Sequence, residues 1–153
     1  LSTAAAQGVY WAFTVVMGLS MASIFLVYTG PSIATTFFAT AAAFAGLSLY
    51  GYTTKRDLSA FGTFLIMGVV GLLVAMVINI FVQSTALQMA ISFIGVLLFA
   101  GLTAYDTQKI KSVYFYVAGS DMVGKSVIMG ALTLYLDFIN MFTFLLQFMG
   151  DRR

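Results

Sequence analysis

Two long stretches of this chain hold no charged side chain: Leu1 to Thr54, and Leu58 to Tyr105. A helix needs about 20 apolar residues to cross the roughly 30 Å hydrocarbon core of a bilayer, so each stretch is long enough for two crossings. Thr29-Gly30-Pro31-Ser32 divides the first, because Gly and Pro together punctuate a turn. Gln83-Ser84-Thr85 divides the second. The expected spans are therefore about 5–28, 33–50, 60–82 and 86–106, with a fifth at about 127–149 that is interrupted only by Asp137. The runs are continuously apolar rather than alternating, which argues against a β-barrel. The first span lacks a charged leading segment and is too long for the apolar core of a signal peptide.

Composition closes the alternative. Only 8% of the 153 residues are charged and 61% are hydrophobic, whereas a soluble domain is about 25% charged. The expectation is an all-α, polytopic helical membrane protein forming one transmembrane domain over residues 1–153. The positive-inside rule places the Lys55-Arg56 loop and the segment carrying Lys109, Lys111 and Lys125 in the cytoplasm, and the two uncharged turns outside. Arg152 and Arg153 would then fall outside against the rule, so the last span is either re-entrant or followed by too short a tail to matter. Asp57 or Ser59 is expected to cap the third span.

The side chains available for chemistry are few. Cysteine and histidine are absent, and all five acidic residues are aspartates. Thiolate metal sites and histidine bases are therefore excluded, and any proton or cation chemistry falls to aspartate. A net charge of +2 is too small to suggest a nucleic-acid partner.

Asp137 lies in Leu134-Tyr135-Leu136-Asp137-Phe138-Ile139-Asn140, with long apolar flanks on both sides. A carboxylate inside a span costs about 2.5–3.5 kcal/mol on insertion scales and marks a functional site by default. The plainer alternative is a neutral acid gluing helices together. Asn140, three residues on, shares its face and could hydrogen-bond to it. Asp106 ends the fourth span in Ala104-Tyr105-Asp106-Thr107-Gln108-Lys109, where a membrane-edge pairing with Lys109 is the simple reading.

Whether the two aspartates meet depends on where the last helix enters the lipid. Entry at Ser126 puts Asp137 about 16 Å deep and axially far from Asp106. If Ser126–Ala131 project into the cytoplasm, Asp137 lies about 8 Å deep and within reach. Two carboxyls that meet in a dry place cannot both ionise, so they would share a proton. Such a pair is a proton-sensitive latch, and its ionised form is a hard oxygen site suited to calcium.

Gly119-Ser120-Asp121-Met122-Val123-Gly124-Lys125-Ser126 matches the phosphate-binding pattern G-x-x-x-x-G-K-[ST], with Val113–Val117 as a conceivable preceding strand. Its neighbours are membrane spans and no further βα units exist, so a turn between helices is expected and no nucleotide partner. Gly18/Ala22, Ala42/Gly46 and Gly71/Ala75 have the small-xxx-small spacing of packed helices. Asn79, near the outer end of the third span, reads as a cap or a polar contact in a pore.

Three ordered strings now carry a resemblance: Gly51-Tyr52-Thr53-Thr54-Lys55-Arg56-Asp57-Leu58, Ala104-Tyr105-Asp106-Thr107-Gln108-Lys109, and Ala131-Leu132-Thr133-Leu134-Tyr135-Leu136-Asp137-Phe138-Ile139-Asn140. Together they resemble the Bax inhibitor-1 family (transmembrane Bax inhibitor motif proteins) in its bacterial branch, over nearly the whole chain. The resemblance implies a seven-helix bundle with the last helix central, of which five are expected here and the first two helices are missing. It also implies a bacterial inner membrane, a pH-sensitive calcium-leak channel rather than an enzyme, and Asp106 and Asp137 as the latch. Tyr105, Asn140 and Lys109 would support the pair, with calcium near it as transported or bound ion and no other cofactor. The bilayer, calcium, protons and other membrane proteins are the expected partners.

Two other functions compete. A non-conducting regulator would bind other membrane proteins, for instance a protease, through its small-residue faces. An intramembrane aspartyl protease also uses two aspartates on adjacent helices, but its second motif needs Gly-x-Gly-Asp where this chain has Leu134-Tyr135-Leu136-Asp137.

Overall fold

Each charge-free run breaks where a hydroxyl can take over the free N–H groups of a new helix. Ser2 Oγ accepts from Ala5 N at 3.1 Å, Thr29 Oγ1 from Ser32 N at 3.3 Å, and Ser84 Oγ from Leu87 N at 3.2 Å. These are ordinary N-caps. The computed structural model describes residues 2–150. The helices are α1 (Thr3–Met21), α2 (Ile24–Val27), α3 (Gly30–Thr53), α4 (Ser59–Val82), α5 (Thr85–Val117) and α6 (Val123–Met149). No strand forms among the described residues. Because α1 and α2 together make one crossing, five segments are long and apolar enough to span a membrane.

One helix runs well past its expected span. The helix that carries the fourth span continues beyond residue 106 to Val117. Residues 107–116 contain neither Gly nor Pro, and Gln108, Lys109 and Lys111 are good helix formers. The helix ends only before Gly119, whose φ of +80° suits a residue without a Cβ. At 33 residues α5 is about 50 Å long, well beyond the bilayer core. The last span, α6, is one uninterrupted helix of 27 residues. Arg152 and Arg153 lie outside the described residues.

Asp57 precedes the N-cap position of α4, which is Leu58. Its Oδ1 accepts from the Ser59 hydroxyl at 2.7 Å and from Ser59 N at 3.0 Å. Those two bonds, the hydroxyl first, hold the Asp57 carboxyl below its ordinary value.

The antiparallel pair α5–α6 is the centre of the bundle. Helices α3 and α4 pack on α5, and α6 also receives α3 and α1. One core cluster joins Leu65 and Leu72 of α4 to Ile91, Leu98 and Leu102 of α5 and Phe144 of α6. The other joins Tyr28 and Ile33 to Phe142 and Leu146. Elsewhere large apolar side chains face outward: Leu19 is 73% exposed, Leu26 80% and Phe81 83%. With five segments long and apolar enough to cross a membrane, such a belt belongs in lipid, and this is an integral, multi-pass membrane protein.

Helices meeting in lipid gain little from apolar burial and rely on close backbone approach. The glycines of the three small-residue motifs do not supply it among the described residues, since a Cβ placed at Gly18, Gly46 or Gly71 would meet nothing within 4 Å, although Ala75 packs on the core. The close approaches fall at Gly51 against the Ala104 backbone, Gly62 against the Tyr105 ring and Gly95 under Phe144.

Candidate functional site

A repeating face on each central helix builds the site. On α6, Gly130, Asp137, Met141 and Phe144 are buried, separated by steps of seven, four and three that keep them on one side. On α5, Ile91, Gly95, Leu98 and Leu102 form the matching buried row, and Asp106 is the next step of four along it. The seam therefore delivers a carboxyl from each helix to the same level. Asp137 is only 5% exposed, Asp106 is half-buried, and the two carboxyls are close enough to act on each other. The extension of α5 to Val117 and the start of α6 at Val123 set the register that brings Asp137 alongside Asp106.

The contact has a chemical condition. Asp137 Oδ2 is buried without a donor from the described residues, and the group facing it is another carboxyl. Two ionised carboxylates are both acceptors, so a hydrogen bond between them requires one proton. Removing it leaves two like charges whose repulsion at 4 Å is on the order of 4 kcal/mol for an effective dielectric near 20. Among the described residues no third acidic group joins the pair. A calcium ion, which takes six to eight oxygens, would need water and backbone carbonyls to complete its shell.

The expected supporting residues take other places. Asn140 Nδ2 donates to Leu136 O of its own helix at 2.8 Å rather than to Asp137. The Tyr105 ring turns to α4 and covers Gly62. Lys109 is exposed and shares with Asp106 a cleft of about 240 Å³ between α5 and α6, lined also by Ile110, Ser126, Gly130 and Thr133. Val113–Val117, the would-be strand of the phosphate pattern, is the end of α5, and Gly119–Met122 is the turn into α6.

The basic segments come together at this end. Lys111 Nζ donates to Tyr52 O at 2.7 Å and lies 4.7 Å from the Tyr52 ring centroid. Gln108 Nε2 donates to Arg56 O at 2.6 Å, while its Oε1 accepts from Leu58 N at 2.9 Å.

A second polar cluster, at the uncharged end, escaped sequence reasoning. Gln88 Nε2 donates to Gln147 Oε1 at 2.6 Å, and Ser92 Oγ lies 3.2 Å from the same oxygen. Asn79 Nδ2 donates to Gln88 Oε1 at 3.2 Å and its Oδ1 accepts from Ser84 N at 3.0 Å, so Asn79 ties the end of α4 to the start of α5, while the caps at this turn are Gln83 and Ser84. Asn79, Ser84, Gln88 and Gln147 border an open cleft of about 900 Å³. The available signal was two glutamines, Gln88 and Gln147, within otherwise apolar helices.

Fold and site together define a polytopic helical membrane protein whose last two spans each carry one aspartate at their seam, Asp137 buried and Asp106 half-buried. The chain belongs to the Bax inhibitor-1 family: the family model described as "Inhibitor of apoptosis-promoting Bax1" matches residues 1–153. It is 53% identical over 150 residues to an uncharacterized protein of Caulobacter vibrioides and 50% identical over 149 residues to the uncharacterized protein RP147 of Rickettsia prowazekii. It is 48% identical over 155 residues to the inner membrane protein YbhL of Escherichia coli K12. These alignments cover 97%, 97% and 100% of this chain but 60%, 63% and 66% of the respective relatives. The chain thus spans about two thirds of the length of its relatives.

Proposed function

We propose that this protein is a pH-sensitive calcium-leak channel of the bacterial inner membrane, gated by the proton that Asp106 and Asp137 share. What supports this reading is Asp137, whose Oδ2 is buried in the α5–α6 seam without a partner among the described residues, with the half-buried Asp106 beside it on α5. With the proton in place the pair ties the two helices together. Without it, repulsion loosens the seam and the two carboxylates become hard oxygen ligands for a passing divalent cation. The Escherichia coli relative is named for the inner membrane, which supports the location. The pair is assigned no catalytic step.

The test is calcium efflux from liposomes holding the full-length protein between about pH 6 and 8, the range a shared carboxyl proton should straddle. Asp106→Asn and Asp137→Asn are measured alongside. Flux that varies with pH in the parent and loses that dependence in both variants supports the reading. Absence of flux throughout refutes it and favours the non-conducting regulator.

A further inference from the structure

The α5–α6 seam carries a cleft at each end and an apolar block between them. At the uncharged end lies the roughly 900 Å³ cleft edged by Gln88 and Gln147; at the basic end lies the roughly 240 Å³ cleft holding Asp106. Between Ser92 and Asp106, a rise of about 21 Å along α5, the facing side chains are Leu98, Phe99 and Leu102 against Met141 and Phe144. Phe144 is 7% exposed, its ring lies flat over Gly95, and it stacks on Phe99 at a centroid separation of 6.0 Å and 20°. The nearby polar side chains do not wet this block. Thr103 Oγ1 donates to Phe99 O at 2.8 Å and Asn140 Nδ2 to Leu136 O at 2.8 Å, each turned back onto its own helix.

We propose that Phe144, seated on Gly95 and stacked on Phe99, is the hydrophobic gate that separates the two clefts of the conduction path. A constriction lined only by apolar side chains expels water, and an ion that must shed its hydration to enter cannot cross. Gly95 is what lets the ring occupy this place: a Cβ there would stand 2.7 Å from Phe144 Cγ. The gate lies along the seam that the aspartate pair closes, so separating α5 from α6 at the pair would lift the ring off its glycine. This inference rests on the channel reading proposed above, and its test separates the two.

Phe144→Ala is compared with Phe142→Ala in the full-length protein. Phe142 is on the same helix and 6% exposed, but packs with Tyr28 and Ile33 away from the seam. At the pH of least parent flux, Phe144→Ala should raise calcium efflux by roughly tenfold, the change given by lowering the barrier by about 1.4 kcal/mol. Phe142→Ala should leave it unchanged. Equal leak in both variants would mean general loosening and overturns the gate, as does an unchanged Phe144→Ala beside a pH-dependent parent. No flux in any protein overturns the channel reading and the gate with it.

A second measurement needs no flux and serves if Phe144→Ala fails to fold. The chain has no cysteine, so single cysteines report accessibility cleanly. Thr85→Cys and Thr133→Cys, which line the two clefts, should react with a water-soluble thiol reagent, while Leu98→Cys stays protected. Leu98→Cys reacting as fast as the other two would show a wet seam and overturn the gate.

Discussion

Gly51→Ala is a one-methyl perturbation whose cost can be worked out from the seam beside the site. The added carbon would stand 2.9 Å from both the carbonyl carbon and the Cα of Ala104, where non-bonded carbons prefer about 3.5–4.0 Å. Those atoms are backbone, and the Ala104 carbonyl oxygen would stand nearer still, so no rotamer change relieves the clash and α3 must withdraw from α5 by on the order of 1 Å. Overpacking costs about 1–3 kcal/mol, and a backbone clash this close belongs at the upper end. The better helix propensity of Ala returns up to about 1 kcal/mol, leaving a net loss of about 2 kcal/mol. Gly46→Ala, five residues earlier on the same helix, meets nothing within 4 Å and should be neutral or stabilising by up to about 1 kcal/mol. Reversible unfolding in mixed micelles, followed by far-ultraviolet circular dichroism, measures both. Equal stability of the two variants would refute the close approach of α3 to α5, and with it the placement of Asp106 two residues beyond Ala104.

Two further outcomes are expected. Gln147→Leu removes the acceptor shared by Gln88 and Ser92, costing about 0.6 and at most about 1.7 kcal/mol as polar contacts between helices in membranes do; a double-mutant cycle with Gln88→Leu in the same unfolding assay should show coupling between the sites. Ser59→Ala removes the larger of the two bonds that hold the Asp57 carboxyl low, so its titration, followed by carboxyl carbon NMR, should move up. Because a lowered carboxyl stabilises the fold above its unfolded value and that contribution is lost as pH falls, the Ser59→Ala protein should also lose less stability on acidification.

The spanning helices and their breaks were legible because charge and turn residues are sharply segregated along the chain: Thr29-Gly30-Pro31 and Ser84 mark helix starts in sequence and structure alike. The end of α5 was not, because Gln108, Lys109 and Lys111 continue a helix as readily as they end a membrane span. That ambiguity is the same one that left the meeting of Asp106 and Asp137 open, since the depth of Asp137 depends on how far α5 and α6 rise beyond the lipid. Small-xxx-small spacing at Gly18, Gly46 and Gly71 describes what a face permits, not which helix uses it. The close approaches at Gly51 and Gly95 depend on partners far away in sequence. Asn140 was expected beside Asp137 on face geometry alone, yet its own helix offers the Leu136 carbonyl at a shorter reach.

A proton held between Asp106 and Asp137, as proposed, is visible to infrared spectroscopy of the carboxyl groups in the reconstituted full-length protein. A protonated carboxyl band is expected near neutral pH, and its position should change in Asp106→Asn and in Asp137→Asn alike, because each substitution removes half of the shared hydrogen bond. A band that survives unchanged in Asp106→Asn, or no protonated carboxyl at any pH from about 6 to 8, would contradict the paired latch.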